Sequence, residues 1–245
     1  MPSLAPYLAA DWPRGPFRLF STQHLVAIAT LLAVLGIACF VLGRREAWRR
    51  PFRIVVAVLL VAQELSYEAW HLSIGDFHPG EHLPFHLCGM SLLVSAALLL
   101  TRRPLLFEII YFWGLGGATQ AILTPDLGAY SFPHYRYFQF FLSHGLIWLT
   151  LAYVLVVEGM RLRRGAYLRV LGVTTGWLAF AAAVNVATDG NYGFVCHKPA
   201  TASLLDAMGP WPWYVAAMAA LAVVVFGLLA LPWWVAAWAR GRPAA

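Results

Sequence analysis

Charge is what this sequence has little of. Only 11% of its 245 residues are Asp, Glu, Lys or Arg, while 61% are hydrophobic. A soluble domain carries roughly 25% charged residues, so a water-exposed globule is excluded and a chain that crosses a bilayer repeatedly is expected. Cysteine is scarce as well: Cys39, Cys88 and Cys196 are scattered and too few for a disulfide framework. The opening MPSLAPYLAADWPRGPFRLF lacks the basic start and apolar core of a signal peptide, so the first apolar stretch is expected to stay in the mature protein. Internal repeats and low-complexity segments are missing too. The net charge of +6 would suit nucleic acid if it were spread over a face. The arginines instead cluster between apolar runs, and no nucleic-acid partner is expected.

What the chain does contain is apolar length. A spanning helix needs roughly 20 mostly apolar residues, and seven stretches qualify, at 22–42, 52–74, 84–101, 104–123, 137–158, 167–187 and 211–239. The fold expected is all-α, a polytopic helical bundle of about seven transmembrane helices. Ser21 reads as the N-cap of the first span, and Pro104 stands where a helix start tolerates proline. Pro232 is expected to kink the last span or end it early. The eleven tryptophans suit the headgroup zone.

Orientation follows from the basic residues. Loop 43–53 holds five arginines, 102–103 two, 159–169 four and the C-terminal tail two; the alternate side has only Arg14, Arg18, Arg136 and Lys198. Positive loops stay in the cytoplasm. The amino terminus is therefore expected outside and the carboxyl terminus inside. This divides the chain into an extracytoplasmic segment 1–21, a seven-helix membrane domain 22–239 and a cytoplasmic tail 240–245. The outer loop 188–210 has apolar content suited to a lid. Its SLLDAM stretch reads as a short helix capped by Thr201 or Ser203.

Polar residues inside the spans gather at one depth. Glu64, Glu68 and His71 share a helical face at i, i+4 and i+7. The third span opens with His86 and Cys88, and the fifth carries His144. Gln120 and Asn185 lie at the outward ends of the fourth and sixth spans. Intramembrane ionisable groups are costly and usually face the bundle interior. Glu108 and Glu158, near the cytoplasmic ends, read as snorkelling side chains.

Cys88 has three readings: a small apolar filler, a disulfide partner of Cys196, or a nucleophile activated by His86, His71 or His144. Cys39 has no polar company and reads as filler. His71, His78, His82, His86 and Cys88 fall close together in the chain, which permits a zinc site, though the spacing matches no tight zinc motif. No metal and no cofactor are expected. A proton relay through Glu64, Glu68 and His71 would make the protein a transporter, but few polar residues continue towards the cytoplasmic half. A seven-span receptor with retinal is excluded by the lack of a lysine in the last span.

The segments LPFHLCGMS (83–91), GATQAILTPDL (117–127), FPHYRYFQFFLSHG (132–145) and NYGFVCHKPATASLLDAMGPWPWY (191–214) resemble the YwaF-type family of bacterial integral membrane proteins. That family is similar to a mammalian transmembrane acyltransferase for ether phospholipids. It also looks distantly like the androgen-induced membrane hydrolases of fatty-acid esters. The resemblance implies a bacterial integral membrane protein, and the arginine distribution puts its expected site towards the extracytoplasmic face of the cytoplasmic membrane. It also implies acyl transfer, or ester hydrolysis, on phospholipid and lysophospholipid. On the matching motifs the family cysteine falls on Cys88, and the histidine on His144 rather than His134. An acyl-thioester on Cys88 would form at the depth of lipid ester bonds. Glu64 or Glu68 would orient a histidine, Gln120, Asn185 and Asn191 would serve as oxyanion donors, and Arg136 and Lys198 would hold the phosphate. The competing expectation is a metal-binding or proton-coupled transporter or receptor built on the outer His/Glu cluster.

Overall fold

The apolar stretches become helices almost residue for residue. The computed structural model describes residues 5–199, 204–239 and 241. After a four-residue turn at Ala5–Leu8 come α1 (Thr22–Arg44), α2 (Arg49–Ser73), α3 (Leu87–Thr101), α4 (Pro104–Leu123), α5 (Tyr135–Val157), α6 (Ala166–Thr188) and α7 (Trp213–Ala239). No strand occurs among the described residues. Five of the seven, α1, α4, α5, α6 and α7, are long and apolar enough to cross a membrane. α3 is a shorter apolar helix, and α2 is a continuous helix whose polar residues lower its hydropathy.

Burial separates the helices by role. α4 and α5 are the most enclosed, and their Phe107, Ile110, Phe112, Ile147, Tyr153 and Val154 form the centre of the core. α1, α6 and α7 turn apolar side chains outward, with Ile37, Phe40, Leu168, Val186, Leu228 and Trp238 exposed. So large an exposed apolar surface is stable only against a nonpolar surrounding such as lipid.

α2 is a helix turned inside out. Gln63, Glu64 and His71 are buried, while Ile54, Val55, Val58, Leu65 and Leu72 are exposed. A helix in water has the opposite arrangement. The polar stripe that drew attention in the sequence therefore faces the bundle.

Helix ends follow local chemistry with two departures from expectation. Pro104 opens α4 as expected. Ser21 holds the N-cap position of α1 but makes no capping bond, and its hydroxyl is buried without a partner. The Phe20 N–H instead donates to Nδ1 of His24, whose other nitrogen bonds the Ile122 carbonyl at 2.8 Å. Pro232 does not end α7, which continues to Ala239. Proline removes one backbone donor and crowds the preceding turn. One residue beyond the Leu228 carbonyl that loses this donor, the Tyr111 hydroxyl of α4 donates to the Leu229 carbonyl at 2.9 Å.

The glutamates expected to snorkel are corrected by the structure. Glu108 is fully buried and is held by Arg163 (2.8 and 3.1 Å) and Arg169 (3.0 and 2.8 Å). Glu158 receives Arg53 at 2.6 Å and the Tyr153 hydroxyl at 2.5 Å, with Arg102 at 3.5 Å. A carboxylate that cannot reach water needs cationic donors, and the arginine-rich loops supply them. They act as clasps between helices.

Candidate functional site

Four segments meet where α3 begins: the last turns of α2, the loop 74–86, the first turn of α3 and the first half of α5, with α3 packed against both α2 and α5. Glycines let them approach. A Cβ at Gly89 would lie 2.5 Å from Glu64 Oε1 and 3.0 Å from Pro84 Cα. A Cβ at Gly145 would collide with Leu31 of α1. The glycine after Cys88 thus admits the Glu64 carboxylate, and the glycine after His144 admits a neighbouring helix.

His144 is buried on α5. Its Nδ1 lies 2.8 Å from the Phe140 carbonyl, which can only accept, so Nδ1 carries the proton. Nε2 is left as a lone pair, buried and without a partner. His71 repeats the pattern. Its Nδ1 lies 3.3 Å from Asp76 Oδ2, and its Nε2 is also buried and unpartnered. Gly75, at φ 72°, turns the chain so that the Asp76 N–H donates to the His71 carbonyl at 3.0 Å. This Schellman turn brings the carboxylate back to the ring. Asp76, and not Glu64 or Glu68, is the carboxylate that orients a histidine. The glycine-aspartate pair after the helix was the signal for it.

The His71 ring stacks on His82, with centroids 3.7 Å apart. His71, Asp76 and His82 each offer a ligand atom within 4.8 Å of the others. Nitrogen and carboxylate donors suit a zinc-like ion. The Nδ1 of His82, however, accepts the His78 N–H at 2.9 Å, so that lone pair is already committed. Burial pushes the His82 imidazole below its ordinary range, with Asp76 and Glu81 opposing. His78 sits at the edge, 3.7 Å from Asp76. His86 is not part of this group. It holds the N-cap position of α3 without a side-chain capping bond and packs against Tyr192 and Phe194.

Arg136 is the cation at the centre. Its guanidinium lies 4.5 Å from the centre of the Tyr67 ring and donates to Gln139 Oε1. Glu64, His71 and His144 are all near enough to sense its charge. Among the described residues Arg136 makes no ion pair. Cys88, second residue of α3 and half-buried, lies within electrostatic range of Glu64. Glu68 is half-buried near Glu64.

Other expected residues lie elsewhere. Gln120 is exposed, and its amide donates to Thr124 at 2.7 Å. Asn185 exchanges two hydrogen bonds with the Tyr192 backbone. Asn191 accepts from Cys196 and His197 N–H and donates to the His197 carbonyl. Both asparagines build the outer loop. His134 caps α5: its Nδ1 accepts the Arg136 N–H, and its Nε2 bonds the Ala9 carbonyl. Lys198 lies 4.0 Å from Asp206 and over the Tyr214 ring. Cys88 and Cys196 are both free thiols, so the structure holds no disulfide between them. Leu204–Met208 forms a short 3-10 helix, while its expected caps Thr201 and Ser203 lie outside the described residues.

The model of the TMEM164 family matches residues 19–230 of this chain, from before α1 into α7. The chain belongs to the TMEM164 family. The match takes in every residue of the Cys88–His71–Arg136–His144 neighbourhood, so that neighbourhood lies within the family's common region. A protein from Treponema pallidum (strain Nichols), named only "Uncharacterized protein", is 31% identical over 192 residues, which cover 76% of this chain and 77% of the relative. No solved structure matches the chain.

Proposed function

We propose that this TMEM164-family protein is a membrane acyltransferase that moves fatty acyl groups between phospholipid and lysophospholipid through a thioester on Cys88. The observation that carries the reading is His144: a buried imidazole with its proton fixed on Nδ1 and its Nε2 lone pair unpartnered, on a helix packed against the one that Cys88 opens. That is the tautomer a general base requires. The motif resemblance to YwaF-type proteins, with Cys88 in HLC and His144 in SHG, supports it.

In the first step His144 Nε2 takes the Cys88 thiol proton, and Sγ bonds to the ester carbonyl carbon. The ester C–O bond breaks, and the departing lysophospholipid oxygen takes the proton from His144. In the second step an acceptor hydroxyl gives its proton to His144 and attacks the thioester. Sγ leaves and recovers that proton; with water as acceptor the outcome is hydrolysis. Cys88 lies half-buried within range of the Glu64 carboxylate, which opposes a standing thiolate, so the thiol proton passes to His144 as the sulfur attacks. Arg136, with no carboxylate partner, holds the lipid phosphate. The excess of arginine at the other end of the bundle supports a site on the extracytoplasmic side.

The test is acyl transfer by purified protein in defined liposomes. Cys88→Ala should fold, lose transfer and no longer trap a labelled acyl group. His144→Gln should lose transfer, whereas the same loss in His71→Gln alone would make the Asp76–His71 pair the base. Undiminished transfer by Cys88→Ala would overturn the thioester.

A second reading rests on the His71, Asp76 and His82 group, whose donor atoms lie within 4.8 Å of one another. It makes the protein a metal-binding membrane protein. Stoichiometric zinc in purified protein, lost in Asp76→Asn and His82→Gln, would favour it.

A further inference from the structure

At the opposite end of the bundle lies a cavity that the acyl-transfer chemistry does not use. Its volume is about 310 Å³, and Glu46, Arg49, Arg50, Arg53, Arg102, Val157 and Glu158 line it. Four guanidinium groups face two carboxylates there, leaving an excess of two positive charges. One carboxylate is already saturated: Glu158 accepts from Arg53, Tyr153 and Arg102. Arg49 is held by the Leu42 and Gly43 carbonyls at the end of α1. Arg50 makes no hydrogen bond or ion pair with any described residue, and Arg102 makes one long contact of 3.5 Å. The opening turn of α2 contributes Arg49 and Arg50 to the lining, so its partial positive charge adds to theirs.

We infer that this cavity binds a phosphate group. A phosphate offers several oxygens to planar guanidinium forks, and arginine is the side chain best matched to them. A surface stripe of arginines would be solvated singly. Here they wall one concavity, and two of them keep donors uncommitted. The two ends of α2 are roughly 35 Å apart at 1.5 Å per residue, so this phosphate cannot be the one held by Arg136. The same chemistry is offered by a lipid headgroup in the leaflet at the arginine-rich end and by a free phosphate from the adjoining water.

The experiment uses the full chain in detergent and in lipid nanodiscs. Thermal unfolding is followed against inorganic phosphate, and separately in nanodiscs of phosphatidylcholine with and without phosphatidic acid. A bound phosphate should raise the unfolding temperature, and the effect should weaken with added chloride. Arg50→Gln and Arg102→Gln should each weaken the response about tenfold. Arg45→Gln, outside the cavity, should change it less than about twofold. A response to phosphatidic acid alone assigns a lipid headgroup, and a response to inorganic phosphate alone assigns a soluble ligand. Responses to both support the site with either source. No response in the native chain, or equal losses in Arg45→Gln and Arg50→Gln, overturns the inference. Using two exposed arginines keeps the test sound if one variant folds poorly, and neither lies in the acyl-transfer site.

Discussion

The Tyr192 hydroxyl donates to the Pro79 carbonyl at 2.5 Å and accepts the Leu83 N–H at 3.0 Å. One phenol thus joins two loops that are far apart in the chain, and Gly80 and Gly190 meet backbone to backbone beside it. Tyr192→Phe removes both bonds and leaves two backbone groups unsatisfied in a buried place. A loss of about 1–3 kcal/mol is expected, read as a lower unfolding temperature of the purified protein in detergent. His71 and His144 keep their own partners in this variant.

Gly89→Ala tests the close approach beside Cys88. The added methyl group would meet Glu64 and the Pro84 backbone together, so a rotamer change of Glu64 alone cannot relieve it. A destabilisation of about 1–3 kcal/mol is expected, together with a changed rate of Cys88 alkylation by a lipid-soluble thiol reagent.

Arg136→Gln removes the cation assigned to the lipid phosphate. A charge-assisted bond contributes roughly 1.5–3 kcal/mol, so KM for phospholipid should rise about ten- to a hundredfold. The turnover rate at saturating lipid should change far less. A fall in kcat with unchanged KM would move Arg136 from binding to the chemical step.

Glu108→Gln removes the centre of a clasp between α4, the loop joining α5 to α6, and α6 itself. Two guanidinium groups are then left facing one another across a neutral amide. A loss of about 2–4 kcal/mol is expected, measurable as a lowered midpoint in chemical denaturation. Acyl transfer by the protein that remains folded should be intact, because the clasp lies at the other end of the bundle.

His134 predicts a pH dependence. Burial holds its imidazole below the ordinary range; the Ala9 carbonyl opposes this, and the Arg136 charge adds to it. Its Nδ1 accepts the Arg136 N–H only while unprotonated. Below about pH 6.5 the unfolded chain takes up a proton that the folded chain refuses, so stability falls with falling pH, by up to about 1.4 kcal/mol per unit. His134→Gln should flatten this limb of a stability–pH curve. A slope unchanged in the variant would assign the effect to another histidine.

Much of this architecture could be read from residue order, for a simple reason. Hydrocarbon length sets where helices run, the arginine clusters mark their ends and Pro104 marks a start, so the expected bounds fall within a few residues of the observed ones. The inward face of α2 was equally legible, because Glu64, Glu68 and His71 recur with helical spacing. Partnerships were not. Spacing places Asp76 in a loop, and only the left-handed turn at Gly75 brings it to His71. Depth suggested that Gln120 and Asn185 belonged with Cys88, but depth fixes height along a helix and leaves its rotation open. Gln120 faces outward, and Asn185 faces the loop that it ties. Glu108 and Glu158 looked alike as helix-end carboxylates because their arginine partners come from other parts of the chain.

The inverted polarity of α2 has a consequence for biogenesis. Alone among acyl chains, a segment bearing two glutamates and a histidine along one stripe would partition poorly as it left the translocon. Its neighbours α3 and α5 supply the shelter for that stripe, and α5 is made some sixty residues later. The nascent chain must hold α2 at the insertion machinery, or at the bilayer surface, until those later helices arrive.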